Sequence, residues 1–164
     1  MKPVIEAALS PLIGEPLSDI WRYAGCQKFE FGIQRPTTNH EGEEITLADW
    51  GLVVSCDWRV TGPEGHVVSS GDFGFGGSRR DEQAHPFYDR IHADSPVVES
   101  VGADDDGKLS IRMSRGYLLQ VDPVTGIDPE DEQWRFTPKD EEARHVVLWG
   151  DGIDGVEEGE RAAE

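Results

Sequence analysis

Between Trp50 and Val60 the chain alternates large apolar residues with smaller or polar ones. Trp50, Leu52, Val54, Cys56, Trp58 and Val60 fall on one side of an extended chain, and mostly polar or small groups fall on the other. Successive side chains of extended backbone point to opposite faces, so this period of two predicts a long, half-buried strand. Thr61-Gly62-Pro63-Glu64-Gly65 then supplies a turn, and residues 66–71 read as the returning strand of a hairpin.

The same punctuation recurs along the chain. Residues 20–23 and 28–33 form two shorter strands around the Ala24-Gly25 break, and residues 96–103 and 108–113 flank Asp104-Asp105-Asp106-Gly107, whose Asp-Gly pair signals a hairpin. Residues 117–121, 132–136 and 145–149 bring the total to about nine strands at short spacing. Helical signals are confined to residues 3–9, stopped by Ser10-Pro11, and residues 86–92, where Pro86 suits a first helical position and Phe87 and Ile91 share a face. Strands joined by short turns, without a strand–helix rhythm, pair antiparallel. The expected fold is mainly β, a β-sandwich or a partly open antiparallel barrel, with one or two short helices. One antiparallel β domain is expected over residues 1–150, followed by an acidic, disordered tail over 151–164.

Charge bears on partners rather than on fold. The chain has 33 Asp and Glu against 15 Lys and Arg, a formal net charge of -18. The last 37 residues hold 13 of those acids and four of the bases, and so carry half the excess. Such a field repels nucleic acid and draws basic surfaces. No apolar run is long enough to span a bilayer and no secretory signal opens the chain, so a soluble cytoplasmic protein without membrane association is expected.

Leu12-Ile13-Gly14-Glu15-Pro16-Leu17, Phe29-Glu30-Phe31-Gly32, the stretch from Trp50 to Arg59 and Glu132-Gln133-Trp134-Arg135-Phe136 together resemble a family of small bacterial proteins of unknown function. The likeness covers residues 12–147. It implies a strand-rich domain and a bacterial origin, and it brings no activity and no catalytic residues.

Three Trp-Arg-apolar triplets recur, at residues 21–23, 58–60 and 134–136. In a strand each would sink its aromatic residue inward and turn its Arg outward. On neighbouring strands Arg22, Arg59 and Arg135 would form a guanidinium row able to hold a carboxylate or phosphate; otherwise each pairs with a cross-strand acid. The glycine-rich run from Gly71 to Arg80 offers a second binding candidate. Phe73 and Phe75 would make an apolar tip for a protein partner, and Arg79 and Arg80 an anion contact, although the run lacks the ending of a P-loop.

Metal and catalytic signatures are weak. His85, Asp89 and His92 have helical spacing, but Pro86 as a first helical residue would put His85 outside the helix as its cap. The Asp104–Asp106 run lacks the acids that a calcium loop needs at its first and last positions, and reads as a turn in which Gly107 supplies a positive φ. Cys26 and Cys56 read as reduced core thiols, without zinc-ligand spacing or a marked His partner. No metal, cofactor or catalytic residue is expected. The reading that follows is a non-catalytic acidic module for a basic protein partner, most specifically an immunity protein against a cationic nuclease toxin. The alternative is a small-molecule-binding β-barrel or sandwich with a pocket lined by Trp21, Trp50, Trp58 and Trp134.

Overall fold

The computed structural model describes residues 1–23, 25–65, 67–72, 79–124, 126–139 and 142–155, without the side chains of Tyr23 and residues 79–85. Among them are two α-helices, α1 (Lys2–Leu9) and α2 (Arg79–Asp94), and eleven strands. The strands are β1 (Leu17–Tyr23), β2 (Cys26–Thr38), β3 (Glu44–Val54), β4 (Asp57–Thr61), β5 (Val67–Ser69), β6 (Val98–Ala103), β7 (Leu109–Met113), β8 (Tyr117–Asp122), β9 (Glu132–Thr137), β10 (Val146–Trp149) and β11 (Ile153–Asp154). They form two sheets, β1-β2-β3-β9-β10-β11 and β5-β4-β8-β7-β6, in which every pairing is antiparallel. The mainly-β class with short helices is therefore observed, as two sheets rather than a closed barrel.

One core serves both sheets. Register aligns Ile20, Phe29, Leu52, Phe136 and Val146 across the first sheet, and the second contributes Trp58, Val60, Leu109, Ile111, Leu119 and Val121, all buried in one cluster. Phe29 meets Trp58 edge-on at 5.1 Å, and Trp50 stacks on Phe136 at 5.8 Å. Burying each such side chain is worth about 1.5–3 kcal/mol, and aromatic geometry adds about 1 kcal/mol per pair. At one edge a Pro16–Val97 bridge ties the start of β1 to β6, with Leu17 N–H donating to Pro96 O and Val98 N–H to Glu15 O.

The eleven-residue alternation from Trp50 to Val60 belongs to two strands, not to one. The chain leaves the first sheet after Val54 and enters the second at Asp57; the Ser55 and Cys56 amides both donate to Gln133 O, at 2.9 and 3.2 Å. Because both sheets line the same core, the inward period continues across the crossing. A bulge between Leu17 and Asp19 has the opposite effect in β1. It puts Ile20 inward and therefore turns Trp21 outward, reversing the first Trp-Arg triplet.

Pro86 does not start a helix but lies within the sixteen residues of α2. A proline there removes one backbone bond and costs about 3 kcal/mol in an isolated helix. Docking offsets that cost: Phe87 and Ile91 are buried, Phe87 lies 6.4 Å from the Tyr117 ring, and the Tyr117 hydroxyl donates to Asp94 at 2.6 Å. α1 forms where its apolar residues predict it, burying Val4, Ile5 and Leu9 next to β6. β11 extends the first sheet past the domain boundary expected at residue 150, since its Ile153 and Asp154 pair with Leu148 and Val147. Residues 156–164 of the expected tail lie outside the described residues.

Candidate functional site

The sheet crossing at Ser55–Cys56 fixes which strand ends share one end of the molecule. Val54 pairs with Trp134 and Asp57 with Asp122, while Leu109 pairs with both Val121 and Ala103. The β6–β7, β8–β9 and β10–β11 connections therefore emerge together. Across residues 104–108, 123–131 and 150–152 they carry seven carboxylates, Asp104, Asp105, Asp106, Asp128, Glu130, Asp131 and Asp151, against one base, Lys108. All seven acids are exposed.

Local chemistry explains two of them. Asp104 accepts from the Asp106 and Lys108 amides at 2.9 Å each, and Asp128 from the Glu130 amide at 2.9 Å, so each closes its turn with a side-chain oxygen. Gly107 adopts the positive φ expected of it, 84°, and its carbonyl accepts from the buried Trp134 Nε1 at 2.9 Å. Asp105 meets the N-terminal ammonium at 3.8 Å, and Lys108 is spent on Asp122 at 2.9 Å. The carboxylates of Asp106, Glu130, Asp131 and Asp151 add charge rather than turn geometry, and like charges gathered this way oppose compaction.

Contact between the loops is close. A Cβ on Gly150 would come within 2.2 Å of Asp128 O, and within the β8–β9 connection the buried Gln133 side chain bonds both backbone groups of Val124, at 3.2 and 3.0 Å. Between the loops lies a cavity of about 170 Å³, walled by Pro123, Val124, Leu148 and Trp149 and rimmed by Asp105, Asp106 and Asp151. Val124 is 49% exposed and shares this cavity with the three rim acids.

The three triplet arginines do not form a row. Arg59 stands on the second sheet, where it donates to Gln120 at 2.8 Å; Arg135 is on the first sheet, ion-paired with Glu132 of its own strand. Arg22 shares a sheet face with Ile20 and Trp134 because of the β1 bulge, and lines a cleft of about 340 Å³ with Cys26, Ser55, Cys56 and Ser70. The four tryptophans do not share one face either: Trp50, Trp58 and Trp134 pack with the core, whereas Trp21 lies beneath Lys28 on the far side of its sheet. Phe73 and Phe75 lie outside the described residues, and Arg79 and Arg80 open α2 with side chains outside them.

His92 Nε2 sits 3.1 Å from Asp19, and among the described residues no three His, Cys, Asp or Glu are grouped to hold a metal. Both thiols are free. Burial, reinforced by Asp57 and Asp122, pushes the Cys56 thiol up to about 12, which disfavours a thiolate nucleophile there. The three acidic loops carry no joint signal in the sequence, since only strand pairing brings residues 104, 128 and 151 together. No family model, no curated protein and no solved structure matches the chain.

Proposed function

We propose that the protein is a non-catalytic binding module whose acidic end engages a basic protein partner. The supporting observation is the convergence of three loops that present seven exposed carboxylates, three of which, Asp105, Asp106 and Asp151, rim a cavity with the apolar wall of Pro123, Val124 and Trp149. An apolar centre inside a charged rim is the usual anatomy of a protein interface, and the rim accelerates encounter with a cationic surface. In its most specific form the module is an immunity-type protein that masks the cationic nucleic-acid site of a nuclease toxin.

Binding that depends on such a rim weakens as salt rises, because charges on solvated loops are screened beyond about 8 Å at 0.15 M ionic strength. With a lysine-rich peptide as probe, the affinity measured by titration calorimetry is expected to fall at least about tenfold between about 0.01 M and about 0.15 M salt. Association that ignores salt, or that is absent at low salt, overturns the proposal.

A further inference from the structure

Cations are scarce in this chain, yet several meet on the face of the first sheet that turns away from the core. Lys28, Arg35, Lys139 and His145 line a cleft of about 420 Å³ in which Asp49 is the one acid among the described lining residues. β9 pairs with β3 only at residues 51–54, so the β2–β3 hairpin projects beyond it as an arm. Arg35 and Asp49 come from that arm, Thr137 to Lys139 from the end of β9, and His145 from the approach to β10. Gly51 keeps the floor open: a Cβ there would lie 2.6 Å from Thr137 Oγ1 and 2.9 Å from Lys28 Cε.

Among the described residues the charges do not cancel. Asp49, whose side chain is 7% exposed, faces both Arg35 Nε at 3.0 Å and Lys139 Nζ at 3.5 Å, one carboxylate for two cations. Burial pushes the Asp49 carboxyl up, but the bond and charge of Arg35, joined by Lys139, hold it below the ordinary carboxylate range. Arg35 reaches Asp49 through Nε, not through the paired terminal nitrogens that grip a carboxylate or phosphate two-pronged. Lys28 is held in place by the buried Glu30 at 3.5 Å and by the Trp21 ring at 5.1 Å.

His145 adds a donor. Its Nδ1 lies 3.1 Å from Arg135 Nη1, and because arginine only donates, Nδ1 must accept and the ring proton of the neutral imidazole sits on Nε2. Burial and the Arg135 charge both favour that neutral ring.

We infer that this cleft binds a small organic anion, a carboxylate or phosphate on a short apolar body, gripped by Arg35 and Lys139 with His145 as a further donor; the Thr137 hydroxyl is engaged in donating to Gly51 O at 3.2 Å and shapes the floor instead. Pro36, Leu47 and Pro138 supply the apolar wall. The volume falls in the range of small-molecule sites. The surrounding charge of -18 opposes casual anion adsorption, so binding here would have to come from local geometry.

The test is a heteronuclear NMR titration of the full chain with phenyl phosphate and with benzoate, with inorganic phosphate as the bare-anion arm. Saturable shifts are expected at the Gly51, Thr137 and Lys139 amides, with the turn at Asp104–Asp106 unmoved. Inorganic phosphate should bind more weakly than phenyl phosphate, for want of the apolar contact. Arg35→Gln should weaken phenyl phosphate at least about tenfold, the loss of one charge-assisted hydrogen bond, whereas Arg59→Gln on the other sheet should leave it unchanged. Shifts that never saturate, that scatter over the whole surface, or that survive undiminished in a folded Arg35→Gln protein overturn the inference. If that variant does not fold, the wild-type shift map decides alone.

Discussion

At Gly107 the acidic end depends on a missing side chain in two ways at once, and replacing it by alanine separates two physical costs. The first is conformational. At φ 84° an L-residue is in left-handed backbone, which costs roughly 1–2 kcal/mol. The second is steric. A Cβ at this position would lie 2.4 Å from Leu148 Cδ2 and 2.8 Å from Cδ1, inside the core, where overpacking costs roughly 1–3 kcal/mol. Gly107→Ala should therefore destabilise by about 3 kcal/mol. Gly116 is the control: its φ is 81°, but nothing lies within 4 Å of the added carbon, so Gly116→Ala should cost only the conformational share, about 1 kcal/mol. Urea unfolding gives both values, and a lower midpoint at unchanged slope reports stability alone. Equal losses for the two variants would refute the claim that the β6–β7 turn is seated on Leu148.

Tyr117 and Cys56 give two further expectations. Burial and then the Asp94 carboxylate raise the Tyr117 hydroxyl from 10.0 to about 12, so the folded state holds this proton more tightly than the unfolded chain. Its contribution is complete below pH 10 and is lost as pH rises towards 12; in Tyr117→Phe, unfolding measured across that window should lose less stability than in the wild type. At pH 8 a thiol titrating near 12 is ionised in only about one molecule in ten thousand, so iodoacetamide should label Cys56 far more slowly in the folded protein than in urea, as peptide mass mapping would show. Equal labelling in both would contradict its burial.

How much of this could be read in the sequence follows from which interactions are local. The β6–β7 hairpin was legible because Asp104 and Gly107 carry the turn chemistry themselves. The core residues from Trp50 to Val60 were legible as a set, but not their division between two sheets, since inward alternation looks the same on either side of one core. Pro86 reads as a helix start because its penalty is local, whereas the contacts that outweigh it, Phe87 and Asp94 with Tyr117, come from a distant strand. A one-residue bulge between Leu17 and Asp19 was enough to place Arg22 on the face where Trp21 was expected. The anion cleft left little trace: Lys28, Arg35, Asp49 and Lys139 are scattered in sequence, and the arm that carries Arg35 and Asp49 is built from residues 34–49, where no strand was expected beyond Ile33.

The most direct measurement compares two equal charge changes at opposite ends of the molecule. Asp106, Asp131 and Asp151 changed together to Asn neutralise the convergent loops; Glu41, Glu43 and Glu44 changed to Gln neutralise the far tip of the β2–β3 hairpin by the same three charges. At about 0.15 M salt, where fields fade within roughly 8 Å, position counts for more than total charge. With three exposed ion pairs at roughly 0.5 kcal/mol each, the first variant should bind the lysine-rich peptide about tenfold more weakly, and the second within about twofold of wild type. Equal weakening by both would show that net charge alone attracts the peptide, and would contradict a binding site at the acidic end.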